Sequence, residues 1–177
     1  MSGHNKWSKI KNKKAVTDAK KSKIFSKYAK LITLESKNVK GNINSPTLKS
    51  VIDQAKAVNM PADNIARAVK KGTGADAGNM EKNTYETYGP GGCAIIIETL
   101  TDSNNRTAAE IRHIFSKNGL VMGGIGSVTW AFTREGNKWI PQNPLALSDE
   151  DMEKAANIIE ELEDNDDVQE VFTNIED

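Results

Sequence analysis

The sequence predicts an α+β protein: an N-terminal three-helix domain, then an α+β sandwich with a small, mainly antiparallel sheet. Two observations predict it. Apolar residues recur at helical spacing as far as Gly72, and beyond it short alternating or continuously apolar runs take over. Between the two regimes lies Gly72-Thr73-Gly74-Ala75-Asp76-Ala77-Gly78, a stretch with the composition of a linker. The domains are therefore expected at 1–75 and 76–177.

The chain opens on a basic arm, Gly3-His4-Asn5-Lys6-Trp7-Ser8-Lys9-Ile10-Lys11-Asn12-Lys13-Lys14-Ala15. It is rich in lysine, nearly free of acid and shows no apolar period, so it is expected to build no core. A helix follows from near Thr17 to about Lys37. Ile24, Phe25, Tyr28 and Ile32 make its apolar stripe, and Lys20, Lys23, Lys27 and Lys30 fall on a neighbouring face. Gly41-Asn42-Ile43-Asn44 is a turn. Ser45-Pro46 opens the second helix as N-cap and first helical residue, with Leu48, Val51, Ile52, Ala55 and Val58 facing inward. Met60-Pro61 breaks it and starts the third helix, which carries Ile65, Ala66 and Val69 and is expected to stop at Gly72.

In the second half, Thr84 to Tyr88 alternates like a strand and Gly89-Pro90-Gly91-Gly92 makes a tight turn. Cys93 to Leu100 reads as a buried strand. Asp102-Ser103-Asn104-Asn105 caps a helix from about Arg106 to Lys117 that ends at Asn118-Gly119, with Ala108, Ile111, Ile114 and Phe115 on its inner side. A strand is expected from Ser127 to Thr133, with Val128, Trp130 and Phe132 alternating against Thr129, Ala131 and Thr133. Trp139-Ile140 adds a short edge strand. Ser148-Asp149-Glu150-Asp151 resembles a capping box and starts an acidic helix to about Leu162. Val168 to Thr173 closes the chain as a strand, and two helices are expected on one face of the sheet.

The formal net charge is zero, but it is divided. Met1 to Gly72 holds 17 Lys and Arg against 4 Asp and Glu, and Thr73 to Asp177 holds 7 against 20, so the two parts carry +13 and −13. A basic half that meets an anion is the natural reading. Nucleic acid is the commonest polyanion, and lysines that neutralise its phosphates release counterions. One cysteine excludes an internal disulfide and suits a reducing compartment. No apolar run is long enough to span a bilayer and no secretory h-region opens the chain, so a cytoplasmic protein that uses no membrane is expected.

The candidate nucleic-acid contacts are His4, Lys6, Trp7, Lys9, Lys11, Lys13 and Lys14 in the arm, Lys20, Lys21, Lys23 and Lys27 in the first helix, and Arg106. Against this stands the reading of the arm as a solvated tail. Trp7 argues for contact, because an exposed indole in a basic arm suits stacking on an unpaired base. The arm holds no arginine, which points to backbone or shape recognition. Arg106, Glu110, His113 and Lys117 share a helical face and read first as surface pairing.

His4 and His113 have no partners at metal-ligand spacing, so no metal or other cofactor is expected. Cys93 lacks a nominated base and reads as a packed thiol. Gly123-Gly124-Ile125-Gly126 precedes a strand and lacks a P-loop lysine, so it reads as a turn. The acidic residues from Asp149 onward lack the order of a calcium loop and read as a solvated face. A sharper alternative is that they shield the basic domain or face a basic protein partner. No small-molecule substrate and no catalytic constellation is indicated.

Several stretches together strongly resemble the YebC/PmpR family. They include Gly3-His4-Asn5-Lys6-Trp7, Lys13-Lys14-Ala15, Lys23-Ile24-Phe25, Met60-Pro61, Tyr88-Gly89-Pro90-Gly91-Gly92, Asn105-Arg106-Thr107, Ser116-Lys117-Asn118-Gly119 and Asp166-Asp167-Val168-Gln169. The resemblance implies a non-enzymatic cytoplasmic regulator associated with nucleic acid. Family members are described as DNA-binding transcriptional regulators. Related members, among them a mitochondrial translational activator of cytochrome c oxidase, act on translation, and bacterial ones are linked to ribosomes stalled on proline-rich stretches. It also implies a helical domain followed by two α+β domains. Here only about 136–146 bridges the place of the third domain, so a two-domain member lacking that insert, between about 134 and 147, is expected.

Overall fold

The computed structural model describes Trp7, Lys9, Ile10, residues 17–75 and residues 77–177. Two compact units result. The helical unit takes in residues 17–81 and 100–102, and the α+β unit takes in 82–99 and 103–177 together with Trp7, Lys9 and Ile10.

In the helical unit α1 spans Asp18–Asn38, α2 Pro46–Ala57 and α3 Ala62–Thr73. Thr17 caps α1 through its side chain, which accepts from Lys20 N at 3.3 Å. Ser45 and Pro46 open α2 as predicted, although the serine hydroxyl pairs with Thr47 and not with a backbone amide. Ile32, Leu48, Ala55, Met60, Ile65 and Ala68 form the core, with Phe25 and Tyr28 packed against it. The expected stop at Gly72 is corrected. Gly72 is buried inside α3, and a Cβ there would stand 2.5 Å from the Thr33 carbonyl oxygen and 2.6 Å from Ser36 Cβ. Its hydrogen lets two backbones touch, and Ser36 Oγ donates across the contact to the Val69 carbonyl at 2.7 Å.

Beyond α3, β1 spans Glu81–Tyr88, β2 Ala94–Thr101, α4 Asn104–Lys117, β3 Phe132–Glu135, β4 Lys138–Pro141, α5 Asp149–Glu163 and β5 Val168–Thr173. The main sheet has the order β1-β2-β5, with β2 and β5 antiparallel from Ile95↔Thr173 to Thr99↔Val168. β2 is continuously apolar because both its faces are covered. Cys93, Ile95 and Ile97 join Ile111, Phe115, Ile158 and Leu162 of α4 and α5. Ala94 and Ile96 join Val128, Ala131 and Phe132.

Two expectations are corrected here. The strand expected at Ser127–Thr133 is a 3-10 turn, Thr129–Ala131, followed by β3, and β3 pairs with β4 in a separate two-stranded sheet. The cause lies in β1. The buried Glu86 carboxylate accepts from Gly126 N and Val128 N at 2.8 Å and from Thr129 N at 3.2 Å. Those amides are thereby withheld from a ladder. The arm is the second correction. Trp7 is 2% exposed within the helix-side core, and Ile10, one turn later, packs against it. Trp7 and Ile10 are thus the i, i+3 pair of a short apolar face hidden among lysines.

Candidate nucleic-acid interface

The sequence candidates fall into three groups. His4, Lys6, Lys11, Lys13 and Lys14 lie outside the described residues. Trp7 serves the fold, and Arg106 stays exposed while pairing within it. The Trp7 indole packs in the core and offers no face to a base. Arg106 Nη2 donates to Asp167 Oδ2 at 2.9 Å, and the same oxygen accepts from Thr107 Oγ1 at 2.8 Å. Asp167 is buried, so its charge requires that partner. The guanidinium thus serves to close α4 onto the turn before β5. The third group stays on the surface: Lys9 and Lys21 are exposed, and Lys20, Lys23 and Lys27 on α1 are half-buried.

The structure adds a feature that the candidate list missed. A cleft of about 520 Å³ runs along α1 and α3. From α1 it takes Ser22, Phe25, Ser26, Ala29, Lys30 and Thr33, and from α3 it takes Asn64, Arg67, Ala68 and Lys71. Both sets repeat at three and four residues, the signature of one helix face. Met60 and Met80 complete the lining. The wall mixes apolar side chains (Phe25, Ala29, Met60, Ala68 and Met80) with the polar Ser22, Ser26, Thr33 and Asn64, and the rim is cationic: Lys30 stands on one helix, Arg67 and Lys71 on the other. No lining residue among those described is acidic. Arg67 is held in place by bonds to Asn64 Oδ1 and, at 3.3 Å, to the Asp63 carbonyl. Lys30 had appeared in the sequence only as part of a lysine face. Arg67 and Lys71 belong to a helix whose pairing with α1 depends on Gly72, a long-range contact with no local signal.

Elsewhere the side chains favour structure over chemistry. Cys93 is fully buried, and burial pushes its thiol up to about 11, which keeps it protonated at neutral pH. Glu98 Oε1 accepts from Arg134 Nη1 at 2.6 Å and Trp139 Nε1 at 3.0 Å, tying the hairpin to β2. Among the described residues no group of three His, Cys, Asp or Glu is placed to hold a metal ion, and no helix is long and apolar enough to cross a membrane.

The comparisons with known proteins lead to a class of regulatory proteins. The model of the TACO1/YebC protein N-terminal domain matches residues 5–75. The model of the TACO1/YebC second and third domain matches residues 80–138 and 135–175. The chain belongs to the TACO1/YebC family. A relative from Desulfosudis oleivorans, named a probable transcriptional regulatory protein, is 49% identical over 180 residues, covering 100% of this chain and 73% of its own. One from Chloroherpeton thalassium, with the same name, is 38% identical over 239 aligned residues, covering 99% of this chain and 96% of its own. With 177 residues here, at least 62 of those positions (239 − 177) have no counterpart in this chain. The solved structure of a conserved hypothetical protein from Aquifex aeolicus superimposes with a TM-score of 0.83 at 29% identity, covering 96% of each chain. That likeness carries the α+β fold.

Proposed function

We propose that this chain is a nucleic-acid-binding regulatory protein whose helical unit supplies a contact surface and whose basic arm adds lysines of its own. One observation carries the reading: residues 16–81 hold 12 Lys and Arg against 6 Asp and Glu, in a protein whose net charge is zero. Lys20, Lys23 and Lys27 recur on one side of α1, where they can follow a phosphate backbone. Their charge carries no base information, so binding is set by backbone and shape. The names of the relatives support transcription as the regulated process, and duplex DNA is the target on which a transcriptional regulator would act. The protein works without a catalytic step, in the cytoplasm, as a two-domain form of the family without the insert between about 134 and 147. The acidic α5 is open to a basic protein partner.

The test is retention of duplex DNA by the full chain over a salt series. Replacing Lys20, Lys23 and Lys27 together by Gln is expected to weaken binding roughly tenfold or more. It should also reduce the slope of log affinity against log salt by about 2–3, near 0.9 per lost phosphate contact. An unchanged slope in the folded variant would refute the assignment of α1.

The second reading, a ribosome-associated translation factor that binds RNA, is favoured by the cleft itself. A closed duplex keeps its bases stacked inside, whereas unpaired RNA can splay one into a recess. Co-sedimentation with ribosomes that resists DNase and fades with salt would select this reading.

A further inference from the structure

We propose that the cleft between α1 and α3 seats one unpaired base of a single-stranded RNA, stacked against Phe25, with Lys30, Arg67 and Lys71 on the flanking phosphates. The proposal rests on the second reading above, RNA held by the helical unit, and it names what that unit selects.

The chemistry of the lining narrows the ligand. A small inorganic anion would use the three cations but not the apolar wall of Phe25, Met60 and Met80. An apolar metabolite would use the wall but not the cations, whose desolvation would then oppose binding. A ligand with a flat apolar body and charges on either side uses both. The cleft, about 520 Å³ and open to solvent, has room for such a body to enter. Arg67 and Lys71 stand one helical turn apart on α3, their Cβ atoms separated by about 6 Å, which suits neighbouring phosphates of an extended strand. Lys30 faces them from α1, so phosphates on both sides of an inserted base would meet a cation. Arg67, anchored by Asn64 and the Asp63 carbonyl, is pre-oriented and loses little freedom on binding. The base must be unpaired to enter. Unpaired bases are the regular state of RNA loops and ends, and aromatic stacking with backbone neutralisation is how such strands are held.

The experiment measures fluorescence anisotropy of the full chain with a short unstructured oligoadenylate RNA, the DNA strand of the same sequence, and a duplex DNA. The variants are F25L, which keeps the apolar volume and removes the ring, and R67Q/K71Q, which removes two exposed cations. Circular dichroism melts establish that each is folded. F25L is expected to lower the ratio of RNA affinity to duplex affinity by about tenfold, the loss of one stacked base. R67Q/K71Q should weaken RNA binding by a similar factor and cut its salt slope by about 1.4, near 0.7 per cation. Unchanged RNA affinity in both folded variants overturns the cleft as the site. RNA binding lost only on replacing Lys20, Lys23 and Lys27 does the same, and leaves the nucleic-acid reading standing. Equal affinity for the DNA strand overturns the choice of RNA. Saturable binding of an acidic amphipathic peptide that F25L abolishes, with RNA binding unmoved, would make the cleft a protein groove and overturn the proposal. Failure of the wild type to bind any nucleic acid would refute both this inference and the function beneath it.

Discussion

Trp7 shows how a single side chain can contradict the segment around it. Its neighbours in sequence are charged, yet the indole lies in one cluster with Ile95, Phe115, Ile159 and Leu162. Trp7→Ala is expected to destabilise the α+β unit by about 3–5 kcal/mol, the usual cost of emptying a large aromatic site. Chemical denaturation measures it, and a loss below about 1 kcal/mol would show that the ring is not packed there in solution. Composition favours the opposite reading because two apolar residues in a lysine-rich arm are too few to make a period. Glu86 is a second case. A carboxylate in an alternating strand reads as a solvent-facing residue, but this one is 5% exposed and takes the amides of a turn 40 residues on. Only the folded chain brings the two together, and so the strand expected at Ser127 gives way to a turn.

At the scale of elements, caps and boundaries were legible where the signal is local. Ser148 accepts from Asp151 N at 3.2 Å and starts α5 as its sequence predicts. β5 runs from Val168 to Thr173, as its apolar pattern indicates. The pairing of elements was less legible. Lys117 on α4 donates to Glu161 on α5 at 2.6 Å, and Asn118 Nδ2 reaches the other oxygen at 3.0 Å. The bonds from Lys117 and Asn118 hold the Glu161 carboxyl below its ordinary value of 4.5. A depressed carboxylate stabilises the fold above its unfolded pKa, and that contribution is lost as pH falls through the folded value. Glu161→Gln should therefore cost up to about 0.5 kcal/mol at neutral pH, since the pair is partly exposed. The difference from wild type should vanish in acid, below the folded pKa of Glu161. A denaturation series across pH checks it, and a difference that grows in acid would invert the assignment.

For the molecule as a whole, a formal charge of zero conceals +13 before Thr73 and −13 from it onward. At low ionic strength, copies of the chain should attract one another, basic part to acidic part, and the attraction should fade as salt shortens the Debye length to about 8 Å. Light scattering over a salt series tests this; association that strengthens with salt would point to apolar contact instead. The division of charge along the chain could be seen in the sequence because a charge count needs no long-range information. The cleft could not, because it is lined by α1 and α3, whose packing joins residues far apart in sequence. Their approach is set at Gly72 by the absence of one methyl group. From Gly72 back to Asn64 α3 runs eight residues, about 12 Å of rigid rod. A small wedge at one end of such a rod becomes a larger displacement at the other. Gly72 is in this sense a fulcrum: a Cβ there would press on Thr33 and Ser36 and push apart the two helices that line the cleft.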